Sequence, residues 1–318
     1  QIFGGAAQGK NEYDDGGNIE MAGGFARTGF GGSVIMRSGY GMDSSSGIFD
    51  IATANAGKAG VSGHISMFTG TTSEGSSGHV RIETGVATSG RGGFYQVLVG
   101  TGNSGTGGAV TIGAGKTSAA ASGGMVTITT GSGVPTSSGD FLMKTPNGGV
   151  RGVSGSFYLS TGATTQGDTG DYKLQTGVAV GGRGGDINMY VGSGNSGDGG
   201  HVNIIAGQTS ANAKQGGHVH ITAGLGSGVS SADGSNGGDM VFTAGEAKGM
   251  HPILDSGGDV EMHAGQAASA SGGSISIGSG FGVRTSSGDI QVHTANSGPT
   301  GVSGRIDVFT GQSVGTSG

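Results

Sequence analysis

Cysteine and tryptophan are absent from this chain of 318 residues, and proline occurs only four times. Without cysteine the chain has neither disulfides nor thiolate ligands for a metal. No apolar run approaches the roughly 18 residues that a membrane-spanning helix requires. Charged residues are 11% of the chain and the net charge is −6, so no basic surface is available for nucleic acid. We therefore expect no nucleic-acid partner and no membrane span.

Glycine is the residue in excess. The chain has 78 glycines, about a quarter of its length against a usual value of roughly 7%. A strict Gly-X-Y period is missing, which excludes collagen. High glycine with little charge is also typical of disordered chains, and only a regular pattern argues against disorder.

Such a pattern is present as a unit, in most cases of 15 or 16 residues, with the form G-x-Φ-x-Φ-x-(T/A/V)-G, where Φ is apolar. Alternation over six residues predicts a half-buried strand. In the unit that begins at Gly78, Val80, Ile82 and Thr84 would face inward. The rest of each unit consists of Gly, Ser, Thr, Asn and Ala, which favour turns. The units begin at Gly17, Gly32, Gly47, Gly63, Gly78, Gly93, Gly108, Gly124, Gly139, Gly155, Gly170, Gly185, Gly200, Gly217, Gly238, Gly258, Gly273, Gly288 and Gly304.

The repeat predicts an all-β fold, a parallel β-solenoid (β-helix) of about 20 stacked coils of 15–16 residues, without helices. Residues 1–318 would form a single solenoid. An alternative places two units in each coil, so that two apolar sheets face each other. A six-unit superrepeat is visible at 47–138 and 139–236, with a partial copy at 273–318, and three long loops at 6–17, 225–238 and 246–258 interrupt it.

Candidate chemistry is sparse. Neither a Ser/His/Asp group nor paired carboxylates stand out from the repeat, so we expect no catalytic residue, no enzyme activity and no cofactor. Asp171 and Asp186 occupy the same position of successive units and would be neighbours in a stack, where calcium could relieve their repulsion. They are the weak metal candidates.

The predicted function is structural. Solenoids normally carry polar caps, yet this sequence begins inside a strand and ends at a unit boundary, so we expect copies to join head to tail into a filament through uncapped solenoid ends. The contacts would be Gln1, Ile2 and Phe3 at one end and Ile306 and Val308 at the other. Met250, Ile253 and Leu254 would either fold back over the rod's own surface or contact a neighbouring copy or another protein laterally. The alternative is a binding module: an adhesin, a viral fibre shaft or an ice-binding solenoid.

The phrases SGHISMFTG (62–70), GHVRIETG (78–85) and VGSGNSGDGGHVNIIAG (191–207) resemble the glycine/serine/threonine-rich repeats of microbial, algal-type cell-surface proteins and extracellular filaments. The resemblance covers nearly the whole chain. It implies an extended β-solenoid outside the cell or on its surface. Together with a start at Gln1 instead of Met, it leads us to expect a secreted chain with a processed N-terminus, or a piece of a longer repeat protein.

Overall fold

A computed structural model describes residues 1–9, 15–134, 136–230, 232–251 and 254–312. Within these ranges the chain forms neither a helix nor a strand. It divides into two units, Gln1–Phe157 and Tyr158–Gly318. Each unit is built in the same way, from short segments that alternate with loops.

The segments are the apolar stretches of the repeat, and their backbone is extended. Within the described ranges the bends and turns lie in the loops, for example at 88–90 in the first unit and 195–198 in the second. Side chains two residues apart meet on one side of a segment: Arg81 pairs with Glu83, and Lys173 lies 3.3 Å from Asp171. An extended chain has this two-residue period.

Each loop is closed at a neck, where its last glycine meets the end of the preceding segment. In the first unit the Gly32 N–H donates to the Gly24 carbonyl at 2.8 Å, and in the second the Gly217 N–H donates to the Gly207 carbonyl at the same distance. Only glycine fits some of these necks. A Cβ on Gly17 would lie 2.7 Å from the Gly5 nitrogen, closer than van der Waals contact allows.

Loops at equivalent positions of the superrepeat have the same local structure. The loops at 57–60, 149–152 and 298–301 each contain a tight turn, with N–H to carbonyl distances of 3.3, 3.0 and 3.2 Å. The preceding loops also match, since a Cβ on Gly41, Gly133 or Gly282 would meet the carbonyl oxygen of the serine four residues later. Equivalent sequence therefore gives equivalent local structure in both units.

The prediction of a parallel β-solenoid, or β-helix, is wrong. A coil would return the chain to the start of the previous segment, so that the opening glycines of neighbouring units lie about 4.8 Å apart. Gly93 instead lies against Thr84, at the far end of the segment that Gly78 opens, and the Thr84 hydroxyl donates to the Gly93 carbonyl at 3.3 Å. Six extended residue steps of roughly 3.3 Å each separate that end from Gly78. Because the described ranges also contain no strand and no buried side chain, their segments do not stack, whether a coil is taken to hold one unit or two.

The predicted inward side chains are consequently not buried. Among the described residues, no side chain of any type is buried, and Val80 and Ile82 are both largely exposed. The accessible surface of the chain is 32472 Å². A folded protein of 30.5 kDa would expose about 11,800 Å². The hydrophobic core that the solenoid required is absent from the described part of the chain.

Candidate assembly surface

The segments have two different faces, although neither is buried. Counted from the opening glycine, the third residue of each segment is 44–65% exposed, from Met240 to Tyr95. Large apolar residues at the intervening even positions are 71–87% exposed, from Ile35 to Tyr190. We call the side with the third, fifth and seventh residues the odd face. At the third residue the predicted alternation corresponds to a difference in exposure, whereas the fifth residues overlap the even positions, with Ile112 75% and Val308 93% exposed.

The loop necks lie on the odd face. The seventh residue belongs to this face, and the opening glycine of the next segment lies against it. A Cβ on Gly93 would be 3.5 Å from Thr84, and one on Gly63 would be 3.4 Å from the Cβ of Thr53. These two necks thus place the opening glycine of the next segment against the seventh residue of the preceding one.

The backbone of the segments makes no ladder. Within the described ranges, hydrogen bonds between backbone groups occur inside loops or across their necks, and none joins two segments. An extended backbone without a ladder presents rows of N–H and C=O groups along both edges. These edges and the odd face together form the candidate surface for assembly.

Some charged side chains on the segments have a partner two residues away. Arg305 lies 2.9 Å from Asp307 and His263 lies 3.6 Å from Glu261, each pair two residues apart on one side of its segment. All of these side chains are exposed, so each pair contributes at most about 1 kcal/mol to stability. Among the described residues, other segment carboxylates such as Asp50 and Asp239 have no ion pair.

The residues predicted for end-to-end contacts are exposed but not brought together by any described contact. Gln1, Ile2, Phe3, Ile306 and Val308 all have accessible side chains. Their predicted role depended on the ends of a solenoid, which the chain does not form. A head-to-tail contact through them remains a prediction.

The loop at 246–258 folds on itself. The His251 N–H donates to an Asp255 carboxylate oxygen at 2.5 Å, and the Leu254 N–H donates to Nδ1 of His251 at 3.1 Å. This leaves Met250 98% exposed and Leu254 largely exposed. Ile253 lies outside the described residues, as does part of the loop at 6–17.

The two calcium candidates have separate partners. Asp171 pairs with Lys173, and Asp186 pairs with Arg183. The stacking that would have made the two carboxylates neighbours is not formed. In the described part of the chain, no group of three or more His, Asp or Glu residues is placed to hold a metal, and the protein encloses no pocket. Calcium binding therefore stays a prediction, but the stacking of Asp171 on Asp186 that suggested it is not formed.

Sequence reasoning missed the role of the neck glycines. Glycine doublets such as Gly23–Gly24 and Gly31–Gly32 mark both sides of a neck, and this pairing was the available signal. It also missed that large apolar residues on the even positions, such as Phe94 and Leu98, increase the exposed apolar surface.

Comparisons with protein-family models, curated proteins and solved structures give no match. Among the described residues, no helix has the length and apolar character needed to cross a membrane.

Proposed function

We propose that this chain is a structural protein that assembles with copies of itself into an extended filament. One observation carries the proposal: the described residues bury no side chain, yet the same apolar segment recurs along the chain. Burial of apolar surface is the main favourable term in folding and association. A chain that does not obtain it internally gains it by association.

The same observation argues against an isolated, folded binding module, since such a module needs a core to hold its site rigid. An ice-binding solenoid is not proposed, because its flat array requires stacked coils. An adhesin or a fibre shaft stays an alternative. Following the resemblance to microbial surface repeats, we place the filament outside the cell or on its surface.

Electron microscopy and sedimentation of the purified chain over a hundredfold range of concentration test this function. We expect long filaments above a threshold concentration and single chains below it. A chain that remains a single copy throughout that range would contradict the proposal and would favour the binding alternatives.

A further inference from the structure

We propose that the partner of each segment is a segment of a second copy of this chain, and that the copies pair backbone to backbone, so that β-structure forms between chains. This inference rests on the proposed function and specifies its contact. The chain itself supplies both the edges and the apolar faces, and neither has a partner within the described ranges.

The area to be covered determines the size of the partner. The chain exposes 32472 Å², which exceeds the surface of a compact protein of its mass by about 20,000 Å². A standard interface buries roughly 800 Å² on each partner, so about 25 such interfaces would be needed to cover this excess on one chain. A single small protein or ligand cannot supply them, whereas other copies of this chain can.

The repeat gives the second copy a matching pattern. Every segment has two backbone edges and an apolar odd face, and every neck fixes where one segment ends and the next begins. A partner must offer extended segments at the same intervals. A second copy offers them because it has the same repeat. Pairing then aligns the odd faces of both chains into continuous apolar columns.

Charge and loop composition permit close approach. Pairs such as Arg81 with Glu83 and Lys173 with Asp171 balance within one segment. The net charge of −6 is small for 318 residues, so repulsion between copies is weak. Most loops contain small residues, as in GTGNSGTGG at 100–108, and these do not hold the chains apart. Paired strands require a spacing of about 4.8 Å.

A matched pair of variants tests the inference. The segment variant introduces five aspartates on the odd face; the loop variant introduces five aspartates at loop valines that are 94–106% exposed. Both change valine to aspartate and add the same charge. The segment variant consists of Val80→Asp, Val110→Asp, Val126→Asp, Val202→Asp and Val219→Asp. The loop variant consists of Val86→Asp, Val150→Asp, Val153→Asp, Val178→Asp and Val229→Asp.

We expect the segment variant to raise the assembly threshold at least tenfold and the loop variant to change it less than twofold. Fibre diffraction of the unmodified assemblies should give the reflection at about 4.7–4.8 Å that paired strands produce. Filaments without this reflection, or equal thresholds for the two variants, would overturn strand pairing and leave the structural function intact. Failure of the unmodified chain to assemble would overturn both.

Discussion

The glycines at the loop necks determine how this chain continues from one segment to the next. At the second neck, Gly24 accepts a hydrogen bond from Gly32, and a Cβ on Gly23 would overlap the Gly32 carbonyl. Gly24 itself has open space around its Cβ position. Of these two adjacent glycines, only Gly23 has no room for a side chain. Substituting each in turn therefore tests the geometry of the neck.

We expect Gly23→Ala to open this neck and Gly24→Ala to leave it closed. The alanine methyl group at position 23 must displace backbone atoms, at a cost comparable to the neck hydrogen bond, about 1 kcal/mol. Amide hydrogen exchange at Gly32, followed by NMR below the assembly threshold, should then accelerate about fivefold in the first variant only. Equal exchange in both variants would contradict the neck geometry.

Among individual residues, the sequence predicted well what depends on alternation. It placed Val80 and Ile82 on the same side of their segment, but the prediction that they face inward was wrong, since both are 59% exposed. It did not predict that Gly93 lies against Thr84 rather than near Gly78. Alternation is a property of the local backbone, whereas the position of a returning loop depends on how its two ends meet.

At the scale of the element, segment and loop respond differently to a change in length. The neck between Gly224 and Gly238 has a hydrogen bond of 2.9 Å and closes a long loop. Shorter loops are closed by the same kind of neck, as between Gly24 and Gly32. Closing a longer loop costs little additional free energy, since the entropy grows only with the logarithm of its length. The neck, and not the loop length, therefore sets where the next segment begins.

We expect one glycine inserted between Val229 and Ser230, in this loop, to leave the assembly threshold unchanged. One glycine inserted between Val219 and His220 should raise it about two- to fivefold, because a one-residue shift moves Ile221 to the opposite face and each cross-strand pair contributes roughly 0.2–1 kcal/mol. Sedimentation of both variants gives the thresholds. If the loop insertion raises the assembly threshold more than the segment insertion does, a change in loop length is passed on to the next segment, and the proposed role of the neck is wrong.

At the scale of the whole molecule, the absence of buried side chains in the described ranges determines stability. Cooperative unfolding and its heat-capacity change both come from surface that is buried when the protein folds. The single chain has little buried surface that unfolding could expose. Association supplies that burial, so stability should depend on concentration.

Scanning calorimetry should therefore show no cooperative transition below the assembly threshold. Above the threshold we expect a transition whose midpoint rises with protein concentration, because association by mass action stabilises the paired state. A sharp transition in single chains, independent of concentration, would mean that a core exists within one copy, and would contradict the exposed odd face.

The sequence by itself determined the repeat, the positions of the segments and loops, and the two faces of each segment, because these follow from local composition and from the two-residue period of an extended chain. Only the tertiary structure decided whether successive segments stack. The same units are compatible with stacked coils and with unpaired segments, and in the described ranges the chain forms no strand and buries no side chain. The described segments therefore leave their backbone edges without a ladder and their apolar side chains exposed.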